Sequence, residues 1–291
     1  MEYGTTTPAD VTAANSAFYT AWAPTYDSDG NVLQQLDSAA FAAHVIPLLR
    51  PPPSAATTTA TATATAAGGS ARILDLGCGT GRNTGTIAQH APPGTRIIAA
   101  DACEAMLASA RARIASTTPT VEVEWVNADL AALQLGQIGG EKVDGVVSTL
   151  VLEHVARPEV FFAAVARVVR PGGWVWVTDM HPQMGSSRAS FWLSSDPPDH
   201  YGRGQERAKE HGKEAGKGQD GGRKKGTKVS GVSWNHALDD VLGAAQAAGL
   251  RLQGDVVEMG VGDEAQAARL GVRAQKWLGV EMLSGMMFRM A

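Results

Sequence analysis

The sequence ILDLGCGTGRNT, at residues 73–84, joins a short apolar run to three closely spaced glycines. Its apolar run, ILDL, is typical of a buried β-strand, and the glycines at positions 77, 79 and 81 are typical of a tight turn. The turn leads directly into a segment with a helical pattern. A strand, a glycine turn and a helix in this order begin a βαβ unit, so the segment predicts an α/β protein that binds a ligand at the turn.

The spacing of the three glycines distinguishes between ligands. Dinucleotide-binding turns carry GxGxxG and hold a pyrophosphate at the helix N-terminus, whereas the spacing here is GxGxG. Glycines let the backbone approach a ligand closely. If the ligand carries a carboxylate, the free N–H groups of the turn can bind it. An ordinary glycine turn without a ligand is the plain alternative. An NAD-dependent oxidoreductase is the least favoured interpretation because of this spacing.

From position 71 onward, short apolar runs alternate with segments of helix length, as in a parallel sheet with crossover helices. We expect strands at residues 72–76, 96–100, 121–126, 143–148 and 174–178. Helices are predicted at residues 83–90, 104–116 and 158–169, the last ending at Pro171-Gly172-Gly173. A helix at residues 236–248 and two closing strands at 251–259 and 279–289 complete the core, residues 71–291.

Two segments stand apart from this core. Residues 1–50 predict a helical cap, in which residues 13–26 form a helix that runs into an irregular turn at Pro24 and residues 33–49 form a second helix. Residues 51–70 form an Ala/Thr-rich linker whose small side chains cannot bury enough apolar surface to fold. A basic insertion at about residues 202–228 is predicted to be disordered, since periodicity is lost after Met180.

Acidic residues follow the first three predicted strands or lie within them. Asp75 precedes the glycines, Asp101 follows the second strand, and Asp129 follows the third. Ligands of open α/β sheets bind at the carboxyl ends of the strands, where a carboxylate can accept from ribose hydroxyls or from an adenine amino group. The alternative for Asp101 is a helix N-cap.

The chain resembles the class I S-adenosylmethionine-dependent methyltransferases. The resemblance rests on DLGCGTG at residues 75–81, Asp101, NADL at 127–130, DGVVSTLVLEHV at 144–155 and RPGGWVWVTD at 170–179. It implies a Rossmann-like seven-stranded sheet of order 3-2-1-4-5-7-6, with strand 7 antiparallel. It also implies S-adenosyl-L-methionine as cofactor, held by Tyr26, Asp75, Gly77, Cys78, Gly79, Gly81, Asn83, Thr84, Asp101, Ala102, Met106, Asp129, Leu130 and Thr149.

WAPTYD, residues 22–27, is similar to the N-terminal segment of the ubiquinone/menaquinone-type small-molecule methyltransferases. There the tyrosine corresponding to Tyr26 lies close to the methionine part of the cofactor. The alternative is that Trp22 and Tyr26 only cap the core. Met106 is equally consistent with packing on adenine and with a plain core position.

Histidines near the ends of the fourth and fifth strands are candidates for a general base. His181 in TDMHP is the preferred base, and His154 in LEHV is the second catalytic candidate. Their alternatives are a turn histidine before Pro182 and a structural or cofactor-side residue. His236 is expected at a helix N-terminus, and Phe191, Trp192 and Trp234 are candidates for an aromatic acceptor pocket.

Composition limits the classes of function. The 291 residues are 44% hydrophobic and 19% charged, as in a globular protein. No apolar run of about 18 residues and no N-terminal targeting pattern is present, so we expect a cytoplasmic protein without a membrane partner. Cys78 and Cys103 lack CxxC spacing, so neither a disulfide framework nor a metal site is predicted.

The sequence therefore predicts a methyltransferase that acts on a small molecule. An RNA methyltransferase is the nearest alternative, because nine Lys or Arg stand against four Asp or Glu in residues 201–228. Nucleic acid is nevertheless the less expected partner, since that run is interleaved with acids and has a single aromatic residue, Tyr201. A cofactor-binding scaffold without methyl transfer is the third interpretation.

Overall fold

A computed structural model describes residues 8–49, 71–117, 121–130, 133–184, 190–193 and 227–291. The predicted linker and residues 202–226 of the predicted insertion lie outside these ranges. The strands are β1 Arg72–Leu76, β2 Arg96–Asp101, β3 Glu122–Asn127, β4 Val143–Thr149, β5 Val169–Met180, β6 Ser190–Leu193, β7 Thr227–Ser230, β8 Leu250–Leu252, β9 Val257–Gly260 and β10 Glu281–Met290. The helices are α1 Pro8–Trp22, α2 Val32–His44, α3 Ile46–Leu49, α4 Arg82–His90, α5 Glu104–Ala115, α6 Pro158–Val168, α7 Leu238–Ala247 and α8 Glu264–Leu270.

The main sheet has the order that the resemblance implies. Its strands run β3-β2-β1-β4-β5-β10-β8, and β9 also pairs with β10. The pairs from β3 to β5 are parallel, and β10 is antiparallel to β5, so β10 is the expected antiparallel strand 7. The predicted order 3-2-1-4-5-7-6 is confirmed.

Helices cover both faces of the sheet, so its central strands are buried on both sides. All five residues of β1 are buried, and successive side chains alternate between two core clusters. Leu74 packs in the cluster with α6 and α7, whereas Ile73 packs with α2, α3, α4 and α8. Burial of one large apolar side chain such as Phe41 of α2, which is 1% exposed, contributes roughly 1.5–3 kcal/mol.

Several predicted bounds were wrong. The predicted strand 251–259 is two strands, β8 and β9, separated by a turn in which Gly254 has a φ of 74°. The predicted helix 33–49 is α2 and α3, because Pro47 cannot supply the N–H that a continuous helix would need. The first helix, α1, begins at Pro8 and not at Ala13 as predicted, whereas the turn predicted at Pro24 is observed, since α1 ends at Trp22 and Tyr26 lies in the turn that follows.

The region after β5 carries a second, two-stranded sheet, in which β6 pairs with β7. Thr227 and Lys228, the last residues of the predicted insertion, lie in β7 and pair with Leu193 and Trp192. In the part of the chain that the structure describes, no helix has the length and hydropathy that a membrane-spanning segment requires.

Candidate active site

The glycine turn after β1 has the backbone that its sequence predicts. Gly77, Gly79 and Gly81 have φ values of 80°, 54° and 77°, in the left-handed region that favours glycine. A Cβ atom at Gly77 would lie 2.2 Å from Val151 Cγ2, and one at Gly81 would lie 2.9 Å from Ala110 Cβ. A Cβ at Gly79 would meet nothing within 4 Å. The first and third glycines are therefore needed for packing, and the second borders open space.

Asp101, the last residue of β2, lies beside this space. Its Oδ2 accepts from Gly79 N at 2.9 Å, and its Oδ1 accepts from Cys103 N at 2.8 Å. Burial raises the pKa of Asp101, and the backbone N–H groups oppose that rise because they favour the charged form. A carboxylate has about four acceptor positions, so the backbone bonds from Gly79, Cys103 and Ala102 leave room for a further hydroxyl donor. Open space at Gly79 and an oriented carboxylate next to it fit a ribose-bearing cofactor.

Asp75, Asn83, Thr84 and Thr149 bond to one another in pairs beneath the turn. Asp75 is 1% exposed, and its Oδ2 accepts from Thr84 Oγ1 at 2.6 Å. Burial raises the pKa of Asp75 to about 6. Asn83 Nδ2 donates to Thr149 Oγ1 at 2.8 Å, which ties the start of α4 to the end of β4. These four predicted cofactor residues therefore hold the site's framework together.

The predicted adenine side is formed by residues after β3 and in α5. Asp129 is exposed, and its Oδ2 accepts from Thr12 Oγ1 of α1 at 3.4 Å. Leu130 Cδ1 would lie 3.3 Å from a Cβ at Gly77, which puts Leu130 beside the glycine turn. Met106 is 2% exposed, as a core methionine would be. Ala102 precedes Cys103, and Cys103 and Cys78 are buried free thiols.

The N-terminal cap is fastened to the core by two carboxylates that the sequence interpretation missed. Asp37 of α2 is 0% exposed and accepts from Arg82 Nη2 at 2.6 Å, Asn83 Nδ2 at 3.3 Å and Thr178 Oγ1 at 2.7 Å. Asp27 accepts from Thr80 Oγ1 at 2.8 Å and Arg113 Nη2 at 2.5 Å. An acid on the apolar stripe of α2 was the available signal for Asp37.

Tyr26 lies in the turn after α1, directly before Asp27. Its backbone carbonyl accepts from Gln34 Nε2 at 3.1 Å, and its ring contacts Trp22 edge-on with centroids 4.8 Å apart. Burial raises the pKa of Tyr26, and Arg82 opposes that rise. Tyr26 is therefore neutral and is near Asp101, whose charge also raises its pKa.

The two predicted bases have different surroundings. His154 Nε2 lies 2.6 Å from the Tyr19 hydroxyl, and its Nδ1 lies 3.0 Å from the Val232 carbonyl. His181 Nδ1 accepts from Gln183 N at 3.1 Å, so its Nε2 carries the proton and donates to Glu258 at 2.7 Å. Both ring nitrogens of His181 thus have partners, and His181 as the base stays a prediction.

The remaining acceptor-side candidates lie in the segment before α7. His236 was predicted to begin that helix, but α7 begins at Leu238 with Ala237 as N-cap. His236 instead packs its ring against the loop after β4, where Nε2 contacts the carbonyls of Leu152 and Val155 at 3.3 and 3.0 Å. Trp234 N donates to Glu153 O at 2.7 Å. Phe191 and Trp192 lie in β6, and their side chains fall outside the described part.

A buried pair of carboxyl groups, Glu153 and Asp179, is the second feature that the sequence interpretation missed. The two residues are 5% and 3% exposed, and their side chains are hydrogen-bonded to each other, so one of them is protonated. Burial raises the pKa of Glu153 strongly and that of Asp179 to about 6, which keeps the shared proton on Glu153. Glu153 Oε2 has no hydrogen-bond partner. Both residues stand in the quoted motifs, but their contact joins the loop after β4 to the end of β5.

The fold and the site together define the class of protein. A sheet of this order, with a glycine turn after its first strand and an oriented acid after its second, is a nucleoside-binding α/β fold. The protein-family model described as a methyltransferase domain matches residues 74–177 of this chain. An uncharacterized methyltransferase of Emericella nidulans is 31% identical over 284 residues, which cover 92% of this chain and 88% of that relative. This chain belongs to the family of S-adenosylmethionine-dependent methyltransferases.

Other similarities are partial or structural. A ubiquinone biosynthesis O-methyltransferase of Sinorhizobium medicae is 34% identical over 125 residues, which cover 43% of this chain and 47% of that enzyme. The structure of DhpI with SAH superposes with a TM-score of 0.54 at 18% identity and covers 97% of both chains. An S-adenosylmethionine-dependent methyltransferase from Mesorhizobium loti has a TM-score of 0.50 at 21% identity and covers 76% of this chain and 91% of that one. These two structures support the fold.

Proposed function

We propose that this protein transfers a methyl group from S-adenosylmethionine to a small-molecule acceptor. The observation that carries the proposal is the pairing of Asp101 with the open space at Gly79, where a half-buried carboxylate is oriented by backbone N–H groups. When bound, S-adenosylmethionine supplies a methyl group on a positively charged sulfur. Orientation of reactants alone is worth effective molarities of roughly 10⁵ to 10⁸ M, so the protein's main task is to align them.

The predicted cofactor residues have distinct parts in this proposal. Asp101 accepts from the ribose hydroxyls, Asp129 and Leu130 bound the adenine, and Tyr26 covers the methionine end. Asp75, Asn83, Thr84 and Thr149 keep the glycine turn in place through the bonds between them. Gly79 leaves room for the cofactor, and the cap that carries Tyr26 excludes water.

Calorimetry with S-adenosylmethionine and S-adenosylhomocysteine tests the cofactor site. In Gly79→Ala we expect intact folding and at least tenfold weaker binding, because the new Cβ occupies the open space. Gly94→Ala is the matched control, since Gly94 also has a positive φ, 86°, and open space around it but lies in the exposed turn before β2. Equal affinity of Gly79→Ala and Gly94→Ala would contradict the proposed placement of the cofactor.

A second pair of variants tests the ribose acid. Asp101→Asn keeps the volume but removes the charge, and we expect roughly 10- to 100-fold weaker binding, as for the loss of hydrogen bonds to a charged group. Asp240→Asn, on the exposed side of α7, should bind as the wild type does. A wild-type protein that binds neither compound would refute the proposed function altogether.

The base is proposed to be one of the two predicted histidines. His154 is favoured because its Nε2 faces a side-chain hydroxyl. His181 Nδ1 instead accepts from the backbone N–H of Gln183, and this bond can break only if the turn after His181 moves. A cytoplasmic location is part of the proposal and rests on the sequence alone.

The alternatives to a small-molecule acceptor are separated by deletion and by turnover. Removing residues 202–226 leaves Thr227 and Lys228 free to pair in β7, so the shorter chain tests the basic run without removing that strand. An RNA methyltransferase should lose salt-dependent RNA binding in this deletion, whereas a small-molecule enzyme should keep its activity. Cofactor binding without transfer of labelled methyl to any acceptor would favour the scaffold.

A further inference from the structure

Tyr19 of α1 and His154 of the loop after β4 form a hydrogen-bonded pair with a defined proton arrangement. The Tyr19 hydroxyl lies 2.6 Å from His154 Nε2, and the two rings meet edge-on at 80°. His154 Nδ1 faces the Val232 carbonyl, which can only accept, so Nδ1 carries a proton. Burial lowers the pKa of His154, and the ring is neutral near pH 7. Nε2 therefore directs its lone pair at the Tyr19 hydroxyl.

The surroundings of Tyr19 are aromatic and acidic. Its ring stacks on Trp22 with centroids 5.9 Å apart and meets Tyr26 edge-on at 6.0 Å. The titratable groups that face it are Tyr26 from the cap turn, Glu153 from the loop after β4, and Asp101 and Cys103 from the end of β2. Burial raises the pKa of Tyr19, and the nearby Asp101 carboxylate raises it further. Tyr19 thus does not ionise by itself and can give up its proton only while it receives another.

We propose that Tyr19 contacts a hydroxyl group of the acceptor and passes its proton to His154, which makes the protein an O-methyltransferase. This proposal rests on the proposed function and names the substrate class for the same site. As the bond from the acceptor oxygen to the methyl carbon forms, the acceptor O–H bond breaks and its proton goes to the Tyr19 oxygen. The proton of Tyr19 goes to His154 Nε2, and the electron pair of the broken carbon–sulfur bond stays on sulfur. The positive charge ends on the imidazolium, whose Nδ1–H keeps its bond to Val232.

The pair fits a hydroxyl better than an ammonium group. An ammonium has no lone pair until it has lost its proton, and a buried histidine with a lowered pKa is too weak a base to remove that proton first. A hydroxyl keeps lone pairs while it is protonated, so attack and proton loss can occur together. The Asp101 carboxylate also disfavours an acceptor that binds as an anion.

Tyr19→Phe and His154→Asn separate the two parts of the pair. Tyr19→Phe keeps the ring and its packing, and it removes the oxygen that contacts the acceptor. His154→Asn keeps an N–H donor toward Val232 and removes Nε2. His90→Gln is the control, because His90 lies at the end of α4, where its Nδ1 contacts Thr86 O at 2.9 Å. Two readouts are used, histidine ¹H–¹⁵N long-range NMR spectra without cofactor, and methyl transfer to a panel of simple phenols, alcohols, amines and thiols.

The NMR spectra decide the proton arrangement whether or not any panel compound is methylated. We expect a neutral His154 ring protonated at Nδ1, whose Nε2 resonance shifts in Tyr19→Phe and is unchanged in His90→Gln. A ring protonated at Nε2, or no shift in Tyr19→Phe, would overturn the proposal. Failure of the wild type to bind S-adenosylmethionine in calorimetry would instead refute the proposed function, and the two failures are therefore distinguishable.

Turnover decides the chemistry. With a phenol or alcohol we expect kcat to fall about 100-fold in Tyr19→Phe with KM nearly unchanged, as for loss of general base assistance. The acidic limb of the wild-type pH profile should disappear in His154→Asn and persist in His90→Gln. Methylation of amines or thiols alone, or a kcat of Tyr19→Phe within twofold of the wild type, would contradict the proposal.

Discussion

Asp37 is expected to contribute more to stability than any other cap contact described above. Its carboxylate is 0% exposed and accepts from three side chains on α4 and β5, one of them the guanidinium of Arg82. In Asp37→Asn these donors face an amide that has one acceptor oxygen and its own N–H groups. Breaking a buried ion pair from one side costs about 3–5 kcal/mol. We expect about 3 kcal/mol, because the Arg82 side chain is 22% exposed and can reach water.

Urea unfolding, followed by far-UV circular dichroism and by tryptophan fluorescence, measures this loss. With a slope of about 3 kcal/mol per M, a loss of about 3 kcal/mol lowers the unfolding midpoint by about 1 M. Coincident transitions from the two probes are required before the midpoints are compared. Because α2 follows the turn that carries Tyr26, the same variant should also bind S-adenosylmethionine more weakly.

Asp27→Asn is the matched control for this reasoning. Asp27 also bonds an arginine and a threonine, but its side chain and that of Arg113 are 37% and 38% exposed. Exposed pairs contribute about 0.2–1 kcal/mol, so the midpoint should fall by less than about 0.3 M. If the two variants lower the midpoint equally, burial does not decide the strength of these contacts and the reasoning is refuted.

Three further predictions concern the core of the site. Burial raises the pKa of Asp179 to about 6, so its charge destabilises the folded protein above pH 6 and not near pH 4. Asp179→Asn should therefore raise the free energy of unfolding by about 1–3 kcal/mol at pH 8. Urea titrations at lower pH should show a smaller gain. Gly77→Ala should lower the thermal midpoint of unfolding because its Cβ meets Val151. Adding Val151→Ala to Gly77→Ala should restore part of this loss, and additive effects of the two substitutions on the midpoint would contradict the contact. Leu150 has a φ of 56°, so Leu150→Val should be about 1 kcal/mol less stable than Leu150→Met, and equal stabilities would count against backbone strain at this residue.

The core of the fold was predictable because its signals are local. β1 and the glycine turn are read from twelve consecutive residues, and the predicted bounds of β1 are those observed. The sheet order came from the family resemblance, and the sequence pattern alone does not determine it. The break between β8 and β9 was missed because alternating side chains continue across Gly254, and only pairing with two parts of β10 separates the strands.

The candidate site was predictable in part for the same reason. Asp101 ends β2, directly after the predicted strand at residues 96–100, so its position was predictable from the sequence. The partners of His154 and His181 were not, because Tyr19, Val232 and Glu258 lie far from them in sequence. The two histidines have the same local setting at strand ends, and only these distant partners distinguish a ring with a lone pair toward a hydroxyl from one held by a backbone N–H.

The distribution of these contacts limits what the relatives can say about the acceptor. Residues proposed to bind the cofactor lie mostly between β1 and β4, within the part that the methyltransferase model matches. The proposed acceptor side joins α1 of the cap, the loop after β4 and the segment before α7. A match of 125 residues, as with the ubiquinone enzyme of Sinorhizobium medicae, is too short to include both Tyr19 and Val232. Such a match is therefore informative about the cofactor but not about the acceptor. The contacts of Tyr19 and His154 are the observations that bear on the class of acceptor.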